Sequence, residues 1–133
     1  MVMVFALMAC ATDGTANTDR LTGRDWQATR LNGEPVSTPA PVTLSFADGR
    51  GAGRSGCNRY SGKVVVGDGT ISFSEIISTR MACADAGAMQ TEGAYLQALG
   101  GVQRWAVSGD NVLTLSGSKG RIEFAPSPAS PRR

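Results

Sequence analysis

From Asp25 to Phe124 the chain reads as short stretches of alternating apolar and polar residues, most of them closed by turns rich in Gly, Asp or Asn. A period of two places every second side chain on the same face of a strand, so a chain written this way folds as a sheet with one buried face. Asp25-Trp26-Gln27-Ala28-Thr29-Arg30-Leu31 predicts a strand that the Asn32-Gly33 turn signal ends. Val42, Leu44 and Phe46 alternate with Thr43 and Ser45 before Asp48-Gly49. Gly51-Ala52-Gly53-Arg54-Ser55-Gly56 is strand-like but thin in side chains, which suits a bulge or close backbone approach. Further strands are expected around Val64-Val66, Ile71-Phe73, Trp105-Val107, Val112-Ser116 and Arg121-Phe124.

One segment departs from that pattern. Ala88, Met89, Glu92, Tyr95, Leu96 and Leu99 fall near helical spacing, with Glu92 an imperfection in the apolar face. They predict a helix near residues 86–99, ended by Gly100-Gly101. The expected fold is mostly β (a β-rich α+β chain). It is a small incomplete antiparallel β-barrel of about seven or eight short strands, with the helix covering an open side. A length of 133 residues fits a single domain, and 41% hydrophobic against 18% charged residues fits a folded one.

Composition removes several chemistries. The chain has no His, which excludes a Ser-His-Asp triad, a His base and His-ligated metal sites. Three Cys cannot make a four-Cys zinc site. A net charge of +2 is too mild to point to nucleic acid. No P-loop, GxGxxG frame or calcium loop is present, and Lys63 beside Ser61 is a poor base when solvated. No catalytic, metal or cofactor residue is expected.

The odd Cys count is informative. Met1 to Ala9 carry no charge and are too few to span a bilayer, as suits the end of a signal segment. Leu7-Met8-Ala9-Cys10 resembles a bacterial lipobox, in which the Cys is lipidated; the other reading is an apolar N-terminus with an incidental Cys. Residues 1–9 are therefore read as a lipoprotein signal segment, 10–22 as a polar tether, 23–126 as the domain and 127–133 as a Pro-rich tail. Lipid on Cys10 leaves Cys57 and Cys83 as a pair, read either as a disulfide or as two buried thiols.

Three stretches stand together: Trp26 with Leu31-Asn32-Gly33, then Gly56-Cys57-Asn58-Arg59-Tyr60-Ser61-Gly62, then Thr79-Arg80-Met81-Ala82-Cys83 before the helix. In this order and spacing they resemble the META domain family, whose bacterial members include HslJ-like heat-shock lipoproteins. The resemblance covers roughly Gly23 to Pro126. It implies a small barrel-like domain with a packed helix and an envelope role in stress or antibiotic tolerance, with no established enzymatic activity. It also strengthens the lipobox reading.

Within the motif, Gly56 and Gly62 are expected to bend the chain on either side of the CNRYS segment. Asn58 bonds nearby backbone, Tyr60 buries its ring and Met81 fills core space. These roles describe a structural corner. The alternative is a binding surface of Asn58, Arg59, Tyr60 and Arg80. Arg50, Arg54, Arg59 and Arg80 are read as single charges on a solvated face, with an anion-binding patch as the other possibility. The expected function is a non-catalytic envelope lipoprotein that binds another envelope protein or lipid, a monomer held by its N-terminal lipid at the periplasmic face of the outer membrane. The alternative is a small β-barrel carrier of an apolar ligand.

Overall fold

The computed structural model describes residues 14–128. Helix α1 (Gly14–Thr22) precedes strands β1 (Trp26–Leu31), β2 (Glu34–Pro35), β3 (Thr43–Ala47), β4 (Arg50–Arg54), β5 (Arg59–Val66) and β6 (Ile71–Ser78). Helix α2 (Ala86–Gly100) follows, then β7 (Val102–Val107), β8 (Leu113–Gly117) and β9 (Gly120–Pro126). All pairings are antiparallel, and the sheet order is β6-β5-β4-β3-β1-β9-β8-β7, with β2 pairing off β1. The sheet curls into a nearly closed eight-stranded barrel. Its seam lies between β6 and β7, where the Thr70–Arg104 bridge and the hydrogen bond from Trp105 N–H to the Gly69 carbonyl (3.2 Å) join the edges at one end. Helix α2 sits in sequence between these two edge strands and packs on β6, β8 and β9.

Turn chemistry sets the register. Asn32 (φ 53°) with Gly33 (φ 83°) and Asp48 (φ 53°) with Gly49 (φ 74°) form two-residue loops in which both central residues have positive φ. That is the geometry whose twist matches antiparallel strands. The pairs Leu31–Glu34 and Ala47–Arg50 close directly across them. At the Ser118-Lys119 turn, a Cβ on Gly117 would lie 1.9 Å from the Gly101 carbonyl oxygen, so only Gly lets β8 approach the start of β7.

The alternating residues face inward as expected. Trp26, Leu44, Leu113, Leu115, Ile122 and Phe124 are fully buried, each worth about 1.5–3 kcal/mol against exposure. Phe46, Phe73 and Trp105 complete the interior. Gly51 leaves room for this packing, because a Cβ there would meet the Phe73 ring at 2.5 Å. The barrel interior is a packed core.

One boundary changes and another holds. The stretch 10–22 was expected to be a polar tether, but Gly14–Thr22 is helical. Leu21 is fully buried, and its carbonyl accepts the Trp26 Nε1–H at 2.8 Å. One apolar residue that closes the barrel end, together with a partner for the buried indole, draws this polar segment onto the domain. The other boundary is that of α2, which starts and ends within a residue of expectation. Its N-cap is Asp85, whose Oδ1 accepts from Ala88 N–H at 2.9 Å.

Candidate functional site

The most heavily bonded polar cluster lies at the barrel end beneath α2, where three segments meet. They are the Ser55–Asn58 turn joining β4 to β5, the strap of residues 79–85 joining β6 to α2, and the buried face of α2. Gly56 has φ 114°, and a Cβ there would stand 3.2 Å from the Ala88 carbonyl oxygen. Glycine is required at this point for both reasons, since the turn lies against the helix backbone. Gly62 differs from expectation: it sits inside β5 with no positive φ, at a register shift between Ser61 and Lys63. A Cβ on Gly62 would crowd Ile76 at 3.0 Å, so its role is to admit a neighbour across the bulge.

Asn58 uses its whole hydrogen-bonding capacity. Its Oδ1 accepts from Met81 N–H (2.7 Å) and Thr79 Oγ1–H (2.9 Å). Its Nδ2 donates to the Met81 carbonyl (3.2 Å) and to Glu92 Oε2 (2.8 Å). Two acceptor sites and two donors are all that an Asn side chain offers. Met81 is therefore held by its backbone, and its side chain is 59% exposed rather than filling the core. The Asn58 amide already satisfies the backbone at this point, leaving the Met81 thioether outside.

Glu92 is the residue that the sequence reading underrated. It is 7% exposed and accepts from Ser55 Oγ–H (2.7 Å), Cys57 N–H (3.3 Å) and Asn58 N–H (2.6 Å) at Oε1, besides Asn58 at Oε2. Burial pushes its pKa up, but the bonds from Asn58, Ser55 and Cys57 outweigh this and hold it below the usual carboxylate range. The carboxylate is thus ionised and turned inward as a brace. A Glu on the buried side of a helix, following a Ser-Gly-Cys-Asn turn rich in donors, was the available signal.

The disulfide joins Cys57 to Cys83 with Cα atoms 6.1 Å apart, tying the turn to the strap across 26 positions. This settles the open choice between bridge and thiols. Beside it, Tyr60 is buried and donates its hydroxyl to the Thr43 carbonyl (2.6 Å). With that proton committed, it accepts from Tyr95 Oη–H (2.6 Å), and the rings meet edge-on at 5.4 Å. Burial pushes both phenols up; the adjacent Tyr95 raises Tyr60 further, whereas the hydrogen bond shared with Tyr60 lowers Tyr95 in part. Replacing Tyr60 with Phe removes the donor to Thr43 and the acceptor for Tyr95. A loss of about 1–3 kcal/mol is expected by chemical denaturation; an unchanged midpoint would show that the pair carries no stability.

The four residues offered as a binding surface separate into two pairs. Asn58 and Tyr60 are 2% and 3% exposed and bonded inward, while Arg59 and Arg80 are exposed. Cys10 lies outside the described residues. Among the described residues no group of three or more His, Cys, Asp or Glu is placed to hold a metal ion. Ser61 Oγ accepts from Arg50 Nη2 (3.2 Å), and Lys63 pairs with Glu75 at 2.9 Å on the open surface.

A family model described as the META domain matches residues 19–129. The chain belongs to the META domain family. The matched range begins inside α1, before the Gly23 boundary expected from the motifs, in keeping with the helix being part of the META domain. The chain is similar to a protein from Burkholderia xenovorans solved by NMR, at 30% identity and TM-score 0.70, covering 96% of this chain and 99% of that one. A second NMR structure is 24% identical with TM-score 0.64, covering 77% of this chain and 88% of that one, and shows the fold alone. No curated protein matches the chain. In this META domain the GCNRYSG and TRMAC stretches form one corner through Asn58, Met81 and the disulfide. Trp26 lies at the opposite end, against α1.

Proposed function

We propose that this META domain protein is a non-catalytic bacterial envelope lipoprotein, held by lipid on Cys10 and acting by binding another envelope component. The observation that carries the reading is the Leu7-Met8-Ala9-Cys10 sequence ahead of an exported-type domain with a disulfide. Its place is the periplasmic face of the outer membrane, and its role is support of envelope integrity under stress. The polar cluster favours a structural part for the motif, since Glu92 and Asn58 spend their hydrogen bonds on each other and on the backbone.

Carriage of an apolar ligand inside the barrel is the weaker reading. Trp26, Phe46, Phe73, Trp105 and Phe124 occupy the interior. The cleft of about 410 Å³ beside α1, lined by Phe46, Val64 and Val66, opens outward at the rim. Binding is assigned instead to the barrel's outer surface. Metabolic labelling with a fatty-acid probe tests the anchor. The native protein is expected to take up label and the Cys10→Ser variant to lose it; equal labelling of the two, or none in either, overturns the reading.

A further inference from the structure

Among the described residues the large apolar side chains left most exposed are Val65, Ile77, Met81 and Met89. Three of these gather at the α2 end. Ile77 lines a depression of about 260 Å³ with Arg59 and Thr79. The next depression, about 360 Å³, shares Thr79 and is lined by Arg80, Met81 and Met89. On the other side, a depression of about 420 Å³ over β3, β4 and β5 shares Arg59 and includes Arg54. Together they make one shallow furrow that crosses the outer face of the strands and runs onto the strap.

The furrow's exposed charges have one sign. Arg54 and Arg59 stand directly opposite each other in the β4–β5 register. Like charges in that position are destabilising in a sheet, and Arg80 follows one residue after Thr79, which bonds Arg59 through both its N–H and its hydroxyl. Among the described residues no ion pair engages these three cations. Asp85 caps α2, and Glu92, which lines the floor of the Met81 depression, is 7% exposed with both oxygens bonded to Ser55, Cys57 and Asn58.

We propose that this furrow binds a peptide segment of a partner protein in which acidic residues are interspersed with apolar ones. The inference rests on the partner-binding reading above and names the partner's chemistry. Acidic side chains complement Arg54, Arg59 and Arg80, and apolar ones cover Ile77, Met81 and Met89. Methionine suits such a contact because its unbranched, polarisable side chain adapts to varied partners. The apolar groups line a concave furrow rather than project from a convex face, which favours a chain lying in it over insertion into a bilayer.

The test uses the purified full chain and three probes: a labelled peptide alternating Asp and Leu, its Lys and Leu counterpart, and phosphatidylglycerol vesicles. Anisotropy is expected to show binding of the Asp peptide alone, weakening as salt rises. The combined Arg54→Glu, Arg59→Glu and Arg80→Glu variant is expected to lose at least about tenfold in affinity. So is Ile77→Ser with Met81→Ser. All five side chains are exposed, so the unfolding midpoints should match that of the native chain, which separates lost binding from lost fold. Equal binding of the Lys peptide, no binding of the Asp peptide, indifference to charge reversal, or preference for the vesicles overturns the proposal. The assay does not depend on lipid at Cys10, so its failure leaves the labelling result standing, and the reverse also holds.

Discussion

Glu92→Ala is expected to lower the unfolding free energy by about 3–5 kcal/mol, read from the urea midpoint. Three donors lose their acceptor at once, the Cys57 and Asn58 amides and one Asn58 side-chain N–H, and the Ser55 hydroxyl keeps only the Asn58 carbonyl at 3.0 Å. They sit in a corner that the disulfide and α2 keep closed, so water cannot readily replace the carboxylate. Domains of this kind have about 5–15 kcal/mol in total, so the variant should lie near its limit of stability. Glu92→Gln separates charge from shape. It keeps an oxygen for the Oε1 donors but turns an NH₂ toward Asn58 Nδ2, and an intermediate loss is expected. A loss below about 1 kcal/mol in Glu92→Ala would show that the corner opens to solvent and that Glu92 is no brace.

The same bonds give a pH dependence of definite sign. The folded pKa of Glu92 lies below its ordinary value of 4.5, so the folded state binds this proton more weakly than the unfolded one. The contribution is therefore complete above about pH 4.5 and is lost as the pH falls from there through the folded pKa. In Glu92→Gln this part of the acid sensitivity should vanish.

Removing the disulfide is the other large effect. Chain entropy for a closure of 26 positions gives about 3.5 kcal/mol, expected for reduction or for the double substitution Cys57→Ser, Cys83→Ser. The two losses should not add. Without the bridge, the strap can swing from the turn, and the donors around Glu92 reach water. In a double-mutant cycle the combined loss is then smaller than the sum by about 1 kcal/mol or more. Strict additivity would mean that turn and strap stay docked through Asn58 alone.

Strands and turns were readable because their physics is local. Asn32-Gly33 and Asp48-Gly49 tolerate the positive φ that a two-residue loop needs, and Leu44 and Phe46 declare their face by alternation. Helix α2 was readable in its limits but not in its purpose. Glu92 looks like an error in an apolar stripe until the turn it binds, more than thirty positions away, is placed beside it. Met81 misled for the converse reason: an apolar residue in a motif suggests core, yet here the backbone carries the motif's contact. Helix α1 was hidden because the buried Leu21 stands in a polar stretch and leaves no periodic trace. The furrow was hidden as well, since Arg54, Arg59 and Arg80 become neighbours only through strand register and the path of the strap.

The place of β1 in the sheet has a consequence for where this domain can be cut. Strands β3 to β6 form one set of successive hairpins, and β7 to β9 form another. Strand β1 pairs with β3 on one side and β9 on the other, and is the hydrogen-bonded splice between the sets on that side of the barrel. Cutting the chain after Leu31 therefore takes out the middle of the sheet, although it removes only an end of the sequence. A rearranged gene that moves the first strand behind β9 keeps its neighbours; one that deletes it leaves two meanders facing each other across a second open seam.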